Sequence, residues 1–259
     1  MNDTEIITRF LLVFGISMAR FTLFFTIIPF LGAGIISNTA RIGVITSLAL
    51  IVYPILEPLA PKDIDTFQFM GLFAKEAILG FLMAYAISVP FWIMEGVGFV
   101  TDNQRGVSQA SIYDPLFGYT TSPLGSFLLQ SAVVFFLSTG GFLLILGGVF
   151  ESYIFWPVFD FYPKFTGTFY NYFIYLSASV LKYTAMIAAP MLVVFFIINL
   201  GLGLINRITP QLNVFFIAMP VNSAAAFIIL YLYIYIMFDF FKDKQVIYRD
   251  IFKVLKGGI

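Results

Sequence analysis

The chain has 259 residues, is 60% hydrophobic and only 11% charged, and carries a formal net charge of zero, with a mean hydropathy of +0.96. A soluble globular chain carries about 25% charged residues, so this one could not cover its surface with polar groups in water. Zero net charge gives a nucleic-acid partner no electrostatic support, and the lack of cysteine and histidine removes thiol chemistry, disulfides, histidine general bases and the usual zinc sites.

The opening residues, Met1-Asn2-Asp3-Thr4-Glu5, are acidic. A secretory signal opens on basic residues, so no cleavage is expected and the first apolar run stays in the membrane. A spanning helix needs about 20 mainly apolar residues. Six runs qualify as candidates: Phe10 to Leu31, Ile42 to Leu56, Ala77 to Met94, Leu124 to Phe150, one within Ile174 to Leu204, and one within Val214 to Phe238. The second is short and holds Pro54. The fifth is over-long and holds Lys182 and Pro190, so it reads as a broken helix or as two short ones. The runs lack the alternation of a barrel strand, and lipid-exposed backbone is otherwise helical.

Lysine and arginine set the orientation. The tail holds Lys242, Lys244, Arg249, Lys253 and Lys256. With six spans, Arg9, Lys62, Lys75, Lys164 and Lys182 fall on the same side, against Arg41, Arg105 and Arg207 on the other. Both termini are therefore expected in the cytoplasm. The tail, 239–259, mixes Phe240, Phe241, Val246, Ile247 and Ile251 with basic residues, as an amphipathic helix at the membrane surface does.

Charge inside the apolar runs is costly and usually faces a cavity or a partner. Arg20 interrupts the first run, Lys75 and Glu76 open the third, and Lys182 interrupts the fifth. One reading makes these four a polar seam between subunits. The other places Lys75 and Glu76 at a helix end and lets Lys182 snorkel to an interface. Small residues such as Gly80 with Ala84, Gly140, Gly141, Gly147 and Gly148 suit close helix contacts. Proline and glycine also punctuate the runs, at Pro54, Pro90, Pro190 and Pro220 among others. Transporters place broken helices at substrate sites. A rival function follows: an ion-coupled carrier of a small solute, with Glu95, Asp102 or Lys182 coupling the ion.

The segment 96–123 between the third and fourth runs differs from the other connections. It sets Val107, Ile112, Tyr113, Leu116 and Phe117 among Gly, Ser, Asp, Asn and Pro. A solvated tether would not need those apolar side chains, whereas a loop inserted into a protein-lined cavity would. At its start stand Asp102, Asn103, Gln104, Arg105 and Gly106. Asp102 and Arg105 are three apart and pair if the backbone is helical. Asp102 and Asp114 are also suited simply to capping turns or helix ends.

Four stretches carry a family resemblance: Asp102 to Gly106; Asp114-Pro115 with Thr121-Ser122-Pro123-Leu124-Gly125; Ser152-Tyr153-Ile154-Phe155-Trp156-Pro157-Val158; and Pro210-Gln211-Leu212-Asn213-Val214-Phe215 leading to Ala218-Met219-Pro220-Val221. Their order and spacing resemble the T-component of the bacterial type III secretion export apparatus, the SctT/SpaR-like relatives of flagellar FliR. The Asp-Asn-Gln-Arg-Gly form resembles the virulence branch. One departure is Asn222, where many relatives are expected to carry lysine.

The resemblance implies an all-α polytopic inner-membrane protein, a single export-gate domain over 1–259 that is not an enzyme and holds no cofactor or metal. Its implied partners are the R-type and S-type membrane components, the U-type switch protein, and unfolded protein substrates in transit. It further implies that Val107, Ile112, Tyr113, Leu116 and Phe117 form a plug in the closed pore, above a base made by Asp102 to Gly106. Some of the hydrophobic helices would then face protein rather than lipid.

Overall fold

The computed structural model describes residues 3–31, 36–61, 64–106, 122–160, 167–211 and 213–244. Seven α-helices run through them: α1 Asp3–Ile27, α2 Asn38–Leu56, α3 Thr66–Gln104, α4 Pro123–Ser138, α5 Gly141–Phe155, α6 Gly167–Ile208 and α7 Val214–Lys244. A short 3-10 turn, Glu57–Leu59, follows α2, and no β-strand occurs among the described residues. Five helices are long and apolar enough to cross a membrane, and α4 with α5 meets the same test as a pair. The all-α, multi-pass expectation holds.

Helical backbone is what the apolar runs demand, because hydrocarbon offers no partner to an open N–H or C=O. Hydroxyl groups in the runs obey the same constraint by bonding back to their own helix. Thr22 donates to the Met18 carbonyl at 2.8 Å, Thr46 to Ile42 at 2.7 Å, Ser88 to Ala84 at 2.7 Å and Thr101 to Val97 at 2.7 Å. Pro54, Pro90, Pro190 and Pro220 all lie inside helices.

Two helix boundaries differ from the sequence reading. The over-long fifth run is one helix, α6, which passes through Lys182 and Pro190. At about 1.5 Å per residue its 42 residues extend roughly 63 Å, about twice a bilayer core, so the helix reaches well beyond one core without breaking. The break falls in the fourth run instead. Gly140 adopts φ +77° between α4 and α5, a conformation that residues with a Cβ resist. Helices α3 and α6 run through Pro90 and Pro190 without a break.

The chain divides into two compact units. The first comprises 3–88 and Thr139–Ile174, hence α1, α2, the first part of α3, and α5. Its interior holds Val13, Ile16, Phe21, Phe24, Leu79, Met83 and Ile145, all at most 1% exposed. Arg9 ties α1 to the end of α2 through an ion pair with Glu57 at 3.2 Å and a bond to the Glu57 carbonyl at 3.0 Å. Helices α1 and α3 cross at Gly80, where an added Cβ would run into the Arg20 carbonyl. The small residue expected to allow a close contact does so here.

The second unit comprises Val89–Ser138 and 175–244: the rest of α3, α4, most of α6, and α7. Phe91 packs edge-on against Phe136 and Phe241 at ring distances of 5.3 and 5.2 Å. At Gly98 an added Cβ would strike the Gly125 and Leu124 backbone, and at Gly96 it would lie 3.0 Å from Thr184 Oγ1. These two glycines let α4 and α6 approach α3.

Candidate functional site: two buried charge clusters

In the first unit, Arg20 on α1 is fully buried and meets Glu76 on α3. Its Nε donates to Glu76 Oε2 at 2.7 Å. The remaining guanidinium donors reach the end of α5: one donates to Ser152 Oγ at 2.7 Å and one to the Trp156 carbonyl at 3.0 Å. The Tyr153 ring lies 4.0 Å from Arg20 Cζ, and its hydroxyl donates to the Ser17 carbonyl at 3.2 Å. Lys75 pairs with Glu76 Oε1 at 2.9 Å and donates to the carbonyls of Pro157, Val158 and Asp160 at 3.0, 2.6 and 2.9 Å. Formally the cluster holds two cations and one carboxylate. Carbonyls at and beyond the C-terminus of α5 supply the balancing negative potential, as helix C-termini do.

The stretch Ser152 to Val158 thus has a physical role that its sequence alone did not disclose. It supplies the acceptors for Arg20 and Lys75. The available signal was the pair of buried cations facing one carboxylate. What was missing was the pairing of positions more than 130 residues apart in sequence. The polar seam expected between subunits is, for Arg20, Lys75 and Glu76, filled by partners from this chain itself. Lys182 does not join them. It belongs to the second unit and is exposed, with its ammonium 5.7 Å from the neighbouring Tyr183 ring.

In the second unit, Asp102 organises the end of α3. Its Oδ1 accepts from Arg105 Nε at 2.7 Å and pairs with Arg105 Nη2 at 2.6 Å, the i, i+3 contact expected of a helix. Its Oδ2 accepts from Ser122 Oγ at 2.7 Å and from the Leu124 N–H at 2.9 Å. Ser122 in turn caps α4, its Oγ accepting from the Gly125 N–H at 2.9 Å. One carboxylate therefore fixes the end of α3 to the start of α4 and sits at the positive end of the α4 dipole. Asp102 and Arg105 are 3% and 8% exposed. Gly106 closes α3 at φ +88°, its N–H donating to the Asn103 carbonyl at 3.2 Å, as a left-handed helix cap does. Asn103 and Gln104 are exposed.

The stretch expected as a loop from Gly96 opens instead as the end of α3. Residues 96–104 are helix, with Gly96 and Gly98 used for packing rather than for turning. Likewise the tail expected from Asp239 starts as the last part of α7. The plug residues Val107, Ile112, Tyr113, Leu116 and Phe117 lie outside the described residues, as does the tail beyond Lys244.

The fold and its buried charge pairs define a multi-pass helical membrane protein. Residues 11–245 match the family model described as bacterial export proteins, family 1, and the chain belongs to that family. It is 39% identical over 230 residues to the "Yop proteins translocation protein T" of Yersinia pestis, covering 88% of each chain. It is 33% identical over 231 residues to the "Surface presentation of antigens protein SpaR" of Shigella flexneri, covering 88% of this chain and 87% of that one. Against the "Flagellar biosynthetic protein FliR" of Bacillus subtilis (strain 168) it is 30% identical over 251 residues, covering 96% and 92%. The resemblance read from the four motifs is confirmed at the level of the family.

Proposed function

We propose that the chain is the T-type subunit of the inner-membrane export gate of a virulence-type type III secretion system. In this reading a single copy joins the smaller R-type and S-type components to form a channel for unfolded proteins, with the U-type switch protein alongside. The observation that carries it is family membership across residues 11–245, with similarity to a translocation protein and a SpaR protein over 88% of the chain. The Asp102 network supports it further, because one carboxylate holds both flanks of the segment 107–121 that we assign as the plug. The chain's role is steric rather than enzymatic: the plug closes the channel and passage requires it to move.

Copurification tests the assignment. The tagged chain, expressed with its R-type and S-type neighbours, should bring both through extraction and sizing as one complex. A chain that instead runs alone as a folded monomer, with neither neighbour bound, would favour the carrier and sink the gate.

Orientation belongs to the same proposal. The basic residues Lys242, Lys244, Arg249, Lys253 and Lys256 support a cytoplasmic C-terminus. A reporter fused after Ile259 should show cytoplasmic activity. Strong periplasmic activity from the unaltered fusion would overturn the assigned topology.

A further inference from the structure

Lys182 and Arg207 bracket the apolar part of α6. Residues 183–206 carry no charge and at about 1.5 Å per residue extend about 36 Å, close to a bilayer core of about 30 Å. Lys182 therefore stands at one edge of the core rather than within it. Lys244 on α7 reaches the same level, because its ammonium donates to Tyr183 Oη at 3.1 Å and lies 4.2 Å from the centre of that ring. The Lys182 ammonium is 5.7 Å from the same ring, so the two cations stand within about 10 Å of each other. Among the described residues neither has an acidic partner. The hydroxyls of Tyr175 and Tyr183 lie 3.3 Å apart. Tyr183 accepts from Lys244, so its own O–H can go to Tyr175, and the Tyr175 O–H is then left to donate outward. Tyr175 is 50% exposed. One end of the α6–α7 pair thus presents two ammonium groups and a hydroxyl donor, with no anion of the pair to meet them.

The surface beside this cluster is apolar. Met186, Val193 and Leu200 follow Lys182 within about 40° of it around α6, and they are 65%, 57% and 50% exposed. From Lys182 to Leu200 the stripe is about 27 Å long. The ligand that fits has an anionic head and a long apolar body. A soluble acidic segment or a free phosphate would satisfy the lysines and leave the stripe bare. A zwitterionic lipid would set its own ammonium against them.

We propose that Lys182, Lys244 and Tyr175 bind the phosphate of a glycerophospholipid whose headgroup is otherwise uncharged, and that an acyl chain of this lipid lies along the stripe from Met186 to Leu200. The flexible lysine stems let both ammonium groups turn onto one phosphate. The lipid belongs to the leaflet on the side of Lys244. The inference goes beyond the gate reading and needs only that α6 and α7 lie in a membrane.

The test uses the full chain, extracted in mild detergent with any neighbours that stay bound and then stripped of lipid. It is titrated with phosphatidylglycerol, phosphatidylethanolamine or glycerol phosphate, and retained ligand is counted by native mass spectrometry. Phosphatidylglycerol should be retained about tenfold better than phosphatidylethanolamine, and Lys182→Gln and Lys244→Gln should each lower its retention about fivefold, the effect of one basic residue at an anionic membrane surface. Lys242→Gln is the control. Lys242 lies about 200° around α7 from Lys244, and its loss should leave retention within about twofold of native. The lipid-free Lys182→Gln chain should melt at the native temperature, because that side chain is exposed. In cells, a photo-crosslinking residue at Met186 should capture lipid.

Equal retention of the two lipids would overturn the proposal, as would native retention in both cluster variants. An equal loss in all three lysine variants would mean diffuse attraction and no site. Displacement of the lipid by glycerol phosphate would mean a free-anion site without a place for the tail. A protein adduct at Met186 in place of lipid would give the stripe to another chain and end the assignment.

Discussion

Glu76→Leu is expected to leave almost no folded chain in the membrane, while Arg20→Met leaves a measurable fraction. Both substitutions break a fully buried ion pair, and removing one partner of such a pair costs about 3–5 kcal/mol. That is a large share of a total stability of about 5–15 kcal/mol. The difference between them comes from Lys75. With Arg20 gone, Glu76 keeps Lys75 at 2.9 Å, and the cluster holds one cation and one anion. With Glu76 gone, two cations remain, facing carbonyls, the Ser152 hydroxyl and, at Lys75, only the weaker pull of the Asp160 carboxylate. Yield and melting temperature of the purified protein, read by fluorescence-detected size exclusion, should rank native first, then Arg20→Met, then Glu76→Leu. Equal behaviour of the two variants would mean that Lys75 does not compensate, and the charge balance given for the cluster would be wrong.

Replacing residues 107–121 with a short Gly-Ser linker is expected to make the membrane leak small solutes and ions while the gate still assembles. The replacement is geometrically feasible, since Arg105 and Ser122 both bond to the Asp102 carboxylate. A few residues suffice to join them. Changing Ile112 and Phe117 together to Ser should leak less. Each buried apolar side chain contributes about 1.5–3 kcal/mol, enough to bias a two-state segment without locking it. Asp102→Leu should behave differently. It leaves Arg105 buried without its partner and takes the acceptor from the Leu124 N–H, so assembly itself should drop. Conductance of cells expressing the assembled gate is the measurement. A loop replacement that assembles normally in a membrane as tight as the native one would end the plug assignment.

What the sequence discloses depends on how far apart the interacting parts lie. Asp102 and Arg105 are three apart on a helix, and their pairing was readable directly. The attachment of Ser122 and Leu124 to the same carboxylate was not, although Thr121-Ser122-Pro123-Leu124-Gly125 stood out as a motif. Its partner depends on how α3 and α4 come together. Hydropathy marked the spans but misplaced the break. Proline at 190 attracted attention, yet α6 continues through it, while the turn fell at Gly140, whose positive φ no hydropathy profile registers. Gly96 and Gly98 read as loop glycines because composition cannot distinguish a glycine that bends the backbone from one that admits a neighbouring helix. The plug residues were named from their apolar content and the family resemblance.

The Arg20 contacts also impose an order on synthesis. Glu76 follows Arg20 by 56 residues and Ser152 by 132. At roughly 5–20 residues per second, the last of these partners is made roughly 7–26 s after Arg20 itself. Arginine at the centre of an isolated helix disfavours insertion by about 2.5–3.5 kcal/mol. The first helix must therefore spend several seconds beside the insertion machinery, or in a shallow position that keeps its guanidinium wet, before the end of α5 exists to receive it. The final seating of α1 is a late, post-insertion event, although α1 is made before α3 and α5.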